Sequence, residues 1–324
     1  MGRRGSRLAR SSDISQGRLI AVDWGTSRLR GMLVDTEGRI LAEATSDEGI
    51  GATAGGHEAT FERLVAEWPK VPAIMAGMVG SRQGWREAAY VPCPASPRAI
   101  AEKLLRFETS AGRPIAIVPG LMVRSAERDG DVIRGEETQV VGLIDRDPDF
   151  AGVAILPGTH SKWVRIAAGT VTDFQTFLSG EMFDLLAHHS FLRHSVAEGG
   201  GDLSAAPDFA LAVKRVAEEG LPFLGAIFSV RARQILNGVN PTDNRAYLSG
   251  LVIGGELAAA WEIGLLSSSH SLKVIGTHSL AGAYGRALTI LGYEAATHDG
   301  QDLVLRGLIH LATTSGFAQL GDPS

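Results

Sequence analysis

The 324-residue chain has one cysteine, Cys93, only 13 prolines and 6% aromatic residues. A single cysteine excludes an intramolecular disulfide framework and a cysteine-rich zinc module. It fits a reducing compartment, so a cytoplasmic location is expected. The scarcity of proline excludes the Pro/Gly-rich composition of linkers and disordered chains. No apolar run reaches ~18 residues, so no membrane span is expected. Basic residues are in deficit, 31 Lys and Arg against 36 Asp and Glu, for a net charge of -5. That balance argues against nucleic acid as a partner, because a phosphate backbone demands a basic face. Glycine is what the chain has in excess: 40 residues, roughly one in eight, against a usual ~7%. The length permits one large α/β domain or two of ordinary size.

Residues 1–17 hold Arg3, Arg4, Arg7 and Arg10 among Gly and Ser. They lack the apolar stretch of ~7–15 residues that a secretory or twin-arginine signal needs. A disordered arm is expected there, with the folded protein starting near Arg18.

From Leu19 the chain reads LIAVDWGTSRLRGMLVDTEGRILAEATS. Apolar runs at 19–22 and 29–34 flank the turn Asp23-Trp24-Gly25-Thr26-Ser27, and a second turn at 35–38 leads into 39–44. This predicts three antiparallel strands. About half the chain later, GVAILPGTHSKWVRIAAGTVTDFQTFLSGE repeats the scheme, with strands at 153–156, 162–167 and 171–178 around Gly158-Thr159-His160-Ser161. An internal repeat of this size predicts two similar lobes, spanning residues 18–148 and 149–324. In the first, helices are predicted at 58–68, 97–107 and from 138, and strands at 73–78 and 115–118. In the second, helices are predicted at 181–189, 207–218, 223–236, 243–265, 279–291 and 302–313, and strands at 272–275 and 293–297. Residues 198–202, Glu-Gly-Gly-Gly-Asp, read as a flexible connector because no strand leads into them.

A tight turn carrying Gly and a hydroxyl residue aims backbone N–H groups and an Oγ one way, which suits phosphate oxygens. Two such hairpins, one per lobe, are expected to grip the β- and γ-phosphates of a nucleotide across a cleft. Gly25 and Gly158 give backbone access, and Thr26, Ser27, Thr159 and His160 give side-chain donors. Asp23 at the first strand end is placed to hold the waters of Mg2+, which takes few protein ligands. Lys162, just past the second hairpin, is either a γ-phosphate partner or an exposed strand lysine. The histidines do not pair at metal-ligand spacing, and Cys93 has no evident base, so it reads as inert.

These pieces resemble the actin-like ATPase (ribonuclease H-like) and sugar-kinase superfold: two α/β lobes, each a mixed sheet flanked by helices, with the active site in the cleft between them. On that resemblance, the first connecting segment is Arg134–Gln139, the second is Ser249–Gly255, and Ile275–Gly282 is the adenosine segment, with adenine resting on Gly276 and Thr277. The strings DWGTSRLR, AGMVGSRQGW, VPGL, RGEETQ, LPGTHSKWV, DFQTFLSGE and SGLVIGGE are similar to those of the 2-keto-3-deoxygalactonokinase family, over nearly all of the chain after residue 18. The resemblance implies ATP- and Mg2+-dependent phosphorylation of the 6-hydroxyl of 2-dehydro-3-deoxy-D-galactonate. The chain departs from the family's pattern in the arginine-rich arm and in residues 198–206, which this reading places away from the nucleotide site.

Related sugar kinases use an acidic residue followed by Thr as general base. Here that matches Glu137-Thr138, with Glu136 as its neighbour and Asp173 and Glu181 as further candidates. A keto acid's carboxylate needs cations or converging donors. Arg30, Arg82, Arg134 and Lys162 are the available cations, Ser81 and Glu181 the adjoining polar groups, and Trp85 a wall for the carbon chain. Other kinases or a phosphohydrolase of the same superfold, and a nucleotide-driven switch protein, are the alternative readings. The acceptor's stereochemistry and the oligomeric state are left open by the sequence.

Overall fold

The structure, a computed structural model, describes residues 14–53, 56–124, 129–199 and 201–320. The four arginines of the expected arm lie outside the described residues. Ile14 already packs on a hydrophobic core and its carbonyl accepts the Gly17 N–H, so the folded part includes residues before Arg18.

Two compact units are present. The first takes the described residues up to Phe150 together with Ala168–Asp173 and those from Gln301 on; the second takes Ala151–Ala167 and Phe174–Gly300. The chain therefore returns to its first unit at the C-terminus, so a single cut at 148 does not describe the division.

The first unit is built on a six-stranded sheet ordered β3-β2-β1-β4-β7-β6. Its strands are β1 (Leu19–Trp24), β2 (Leu29–Val34), β3 (Ile40–Ser46), β4 (Ala73–Gly77), β6 (Leu105–Glu108) and β7 (Pro114–Ile117). A separate three-stranded sheet joins β5 (Tyr90–Pro92), β8 (Gly120–Val123) and β9 (Asp131–Ile133). β1 runs antiparallel to β2 and parallel to β4, which is parallel to β7. A strand covered on both faces loses the usual apolar–polar alternation. That is why Leu19, Ile20, Ala21 and Val22 are consecutive, and all are fully buried. Each large aliphatic among them contributes about 1.5–3 kcal/mol of burial.

The second unit repeats the order. Its five-stranded sheet is β12-β11-β10-β13-β14, with β10 (Gly152–Leu156), β11 (Ser161–Ala167), β12 (Thr170–Phe177), β13 (Ser271–Gly276) and β14 (Ala295–Asp299). β10 is antiparallel to β11 and parallel to β13, and β13 is parallel to β14. The repeat read from the two hairpins thus extends to the whole 3-2-1-4-5 sheet.

The helices are α1 (His57–Leu64), α2 (Pro97–Ala101), α3 (Glu136–Arg146), α4 (Ser179–Asp184), α5 (Pro207–Ala217), α6 (Phe223–Asn237), α7 (Pro241–Glu262), α8 (His278–Ile290) and α9 (Gly300–Thr314). Two expectations fail here. The helix predicted over 97–107 stops at Ala101, and residues 105–108 pair antiparallel with β7 instead, because edge pairing outweighs local propensity. The helix containing Ser249–Gly255 packs inside the second unit, with Gly250 on the Phe209 backbone and Gly254 on Val213. The helix that meets α3 closely is α9, through Gly142 and Gly307.

Candidate active site

In each unit the predicted hairpin sits at the carboxyl end of the first strand, beside a second parallel strand. Ligands of α/β sheets collect at that edge. In the first unit the hairpin is closed by a Gly25 N–H bond to the Arg28 carbonyl, 2.9 Å, and Thr26 and Ser27 stand exposed at its tip. Its carbonyls are taken from behind, Gly25 by the Ile50 N–H and Thr26 by the Gly51 N–H. A Cβ at Gly49 would overlap the Thr26 carbonyl, so only glycine allows this loop to lie on the hairpin.

Asp23, Gly77 and Gly135 form a stack. A Cβ on Gly77 would come within 3.5 Å of Asp23 Oδ1, and one on Gly135 within 3.3 Å of the Gly77 Cα. Both glycines have positive φ, 94° and 107°, a region closed to most side chains. The turn Arg134–Glu137 is thereby brought against the end of β4 and the Asp23 carboxylate. Burial raises the Asp23 carboxyl; Arg30 opposes this and Glu136 adds to it.

The two glutamates of this turn differ. Glu137 is fully buried and acts on its own backbone: Oε2 accepts the Gly135 N–H at 2.6 Å and Oε1 the Thr138 hydroxyl at 3.1 Å. Burial, with the Glu136 charge next in size, pushes its carboxyl up to about 8. Glu136 keeps partial exposure and its Oε2 accepts the Arg134 N–H at 3.2 Å. Arg134 lies over the Tyr90 ring at 4.4 Å and gives Nη2 to the Ala88 carbonyl at 2.7 Å. Its Nε and Nη1, and the Ser81 hydroxyl, are buried without a hydrogen-bond partner. A buried polar group without a partner costs on the order of 1–3 kcal/mol.

Other expected acceptor residues are placed differently. Arg30, opposite Asp23 across the β1–β2 register, pairs with Glu43 at 3.1 Å. Trp85 is half-buried and packed among Trp24, Phe61 and Phe107 with ring centroids 5.2–6.4 Å apart. Arg82 is exposed. Cys93, also in this unit, has its thiol pushed up to about 11 by burial and the Asp173 charge, which leaves it a poor nucleophile.

In the second unit the hairpin rests on the start of α4. A Cβ on Gly180 would overlap the Gly158 carbonyl and lie 2.8 Å from the Thr159 Cα. The Glu181 N–H bonds the Thr159 carbonyl at 2.9 Å, and its carboxylate meets His160 Nε2 at 2.6 Å. Glu181 is thus bonded to the second hairpin through both its backbone and its carboxylate. Lys162 is buried, and its Nζ donates to the His160 carbonyl at 2.6 Å. It braces the turn and is not an exposed strand lysine.

A pocket opens beside this hairpin. Gly158, Gly180, Asp202, Ser204, Leu280 and Tyr284 are among its lining residues, and Gly276-Thr277 lead into α8, which supplies one wall. A concave site with apolar walls and a few polar groups is the kind of place where small-molecule ligands bind. Gly158 of the second hairpin and Ser279 and Leu280 of the expected adenosine segment line the same pocket, together with Ser179 and Phe183, which no motif marked, and Ser249, which was expected in a connecting helix. The stretch around 198–206 was expected to lie away from this site; instead Gly201–Ser204 line it. Asp202 caps its own turn, with Oδ1 accepting the Ser204 N–H and hydroxyl, a fixed geometry that composition alone would not reveal.

A repeated 3-2-1-4-5 sheet, each copy with a Gly-Thr hairpin after its first strand, defines the actin-like ATPase and sugar-kinase fold. Residues 23–311 match the 2-keto-3-deoxy-galactonokinase family, and the chain belongs to it. A relative from Rhizobium meliloti (strain 1021), described as a probable 2-dehydro-3-deoxygalactonokinase, is 39% identical over 299 residues, 90% of this chain and 95% of its own. The 2-dehydro-3-deoxygalactonokinase of Escherichia coli (strain K12) is 33% identical over 301 residues, 91% of this chain and 97% of its own. A solved structure from Sinorhizobium meliloti, of a protein described by the same enzyme name, superposes with a TM-score of 0.85 at 37% identity, covering 91% of this chain and 98% of that one. The chain is thus a kinase, a phosphotransferase with an alcohol acceptor. No helix among the described residues is long and apolar enough to cross a membrane.

Proposed function

We propose that the protein transfers the γ-phosphoryl group of ATP to the terminal 6-hydroxyl of 2-dehydro-3-deoxy-D-galactonate. Family membership supports the reaction type. The observation that carries the acceptor assignment is the set of unpaired buried donors, Ser81 Oγ and Arg134 Nε and Nη1, beside the Asp23–Gly77–Gly135 stack. A keto acid brings a carboxylate that accepts from such donors, and a charge-assisted bond to arginine is among the stronger ones available.

The first unit supplies the acceptor half of the chemistry. Glu136 takes the proton of the attacking hydroxyl; Glu137, fully buried and bonded to its own turn, holds that turn in place. Asp23 suits Mg2+: burial and the neighbouring Glu136 both disfavour its charge, and a cation relieves both. No group of three or more metal-binding side chains occurs among the described residues, so Mg2+ would keep water and phosphate oxygens as its other ligands. Bound there, the ion would neutralise charge on the transferring phosphoryl group. Thr26 and Ser27 donate to phosphate from the tip of the first hairpin.

The second unit supplies the nucleotide half. Thr159 and His160 face phosphate from the hairpin tip, and the nucleoside occupies the pocket between Gly158 and Leu280. The test is steady-state kinetics with ATP, Mg2+ and the two C4-epimeric keto acids derived from galactonate and gluconate. A clear kcat/KM preference for the galactonate-derived acid is expected, because one polar contact discriminates between epimers. Phosphate release independent of any sugar acid would replace this reading with a hydrolase.

A further inference from the structure

Glu256 lies on α7 inside the second unit, and its carboxyl is buried beneath the nucleotide pocket. Oε1 accepts the Ser161 hydroxyl at 2.7 Å and the Trp163 indole N–H at 2.7 Å. Oε2 accepts the Tyr284 hydroxyl at 2.6 Å. The Ser179 hydroxyl bonds the same carboxyl. An indole N–H only donates, so Oε1 is held as an acceptor.

The four donors come from three elements: Ser161 and Trp163 from β11, Ser179 from α4 and Tyr284 from α8. Two of them, Ser179 and Tyr284, themselves line the pocket, and Gly180, next to Ser179, touches the phosphate hairpin at Gly158. Stability alone is a weak reason for a carboxyl here, since an apolar residue of similar volume avoids the desolvation cost. What the carboxyl does that an apolar group cannot is hold three separate elements at fixed hydrogen-bond distances.

We propose that Glu256 is a positioning residue for nucleotide binding, clamping the phosphate hairpin, the start of α4 and helix α8 into one preformed pocket. The proposal rests on the reading that this pocket takes ATP. It predicts an effect confined to the nucleotide, because every group Glu256 holds belongs to the second unit.

Purified full-length wild type, Glu256→Gln, Glu256→Leu and Tyr284→Phe proteins would be titrated with ATP by calorimetry, with KM measured separately for ATP and for the keto acid. Glu256→Leu should weaken ATP binding and raise the ATP KM by about tenfold or more, as expected for several lost buried hydrogen bonds, with the keto-acid KM nearly unchanged. Glu256→Gln should recover most of the loss. Its amide oxygen still accepts from Ser161 and Trp163, and its amide nitrogen donates to the Tyr284 hydroxyl. Tyr284→Phe keeps the ring and removes one donor. It should weaken ATP binding by about threefold, and carries the test if Glu256→Leu does not fold. A lower melting temperature with unchanged ATP binding, equal rises in both KM values, or a Gln variant no better than Leu would overturn the positioning role. A wild type that binds no ATP would instead overturn the pocket assignment, and this proposal with it.

Discussion

Gly142 and Gly307 face each other reciprocally where α3 meets α9. A Cβ on either would lie 3.1 Å from the backbone nitrogen of the other, and would also overlap a carbonyl oxygen, that of Leu303 or of Thr138. The two helix backbones are in contact because neither residue has a side chain. Asp145, one turn along α3, meets His310 at 2.6 Å and also pairs with Arg306, both on α9.

Gly142→Ala or Gly307→Ala should therefore destabilise the protein by about 2 kcal/mol or more, since backbone atoms cannot move aside as a flexible side chain can. Gly225, in α6 with nothing near its Cβ direction, is the control: alanine there should be neutral or stabilising by up to about 1 kcal/mol. Urea unfolding of the three variants separates the two cases. Equal effects at all three sites would refute the contact argument.

Glu136→Gln should lower kcat by about 100-fold or more with ATP affinity retained, whereas Glu137→Gln should mainly alter the pH dependence of stability. The Glu137 carboxyl is raised from 4.5 to about 8 in the folded protein, so the folded state holds the proton more tightly than the unfolded chain. Its contribution is fully present below 4.5 and is lost as pH rises through about 8. Between those values the wild type should lose stability more steeply than Glu137→Gln, as read from melting temperatures across that range. Parallel curves would exclude the buried protonated carboxyl.

Arg134→Ala should raise the KM for the keto acid about 10–100-fold, the range for a lost charge-assisted hydrogen bond, while the KM for ATP stays near wild type. Ser81→Ala should act in the same direction and more weakly. A rise in the ATP KM instead would move these residues to the phosphates.

Asp23→Asn should require more Mg2+ for half-maximal rate and lower kcat, with little loss of stability, because burial disfavours the charge that the substitution removes. An unchanged Mg2+ titration would remove Asp23 as the residue that holds the ion.

Much of this architecture was legible in the chain itself. Apolar runs such as 19–22 and 153–156, broken by Gly-Thr turns, encode the two hairpins, because strand period and turn chemistry act between near neighbours. The start of α8 and Arg134–Glu137 were expected at the site only through the family resemblance. What local pattern could not decide was which polar groups find partners. Trp85 has the sequence context of a cleft residue, yet its ring is claimed by Trp24, Phe61 and Phe107 from three other segments. Glu137 and Glu136 are adjacent in sequence, yet in the packed structure one is fully buried and the other keeps partial exposure. Residues 198–202 read as a connector, because the pocket that Gly201 and Asp202 help to line has its other walls on α7 and α8, many residues away. The sequence alone determined the glycine turns and the repeat. Only the tertiary structure decided which polar groups are buried and which of them find partners, since desolvation and hydrogen-bond satisfaction depend on groups brought from distant parts of the chain.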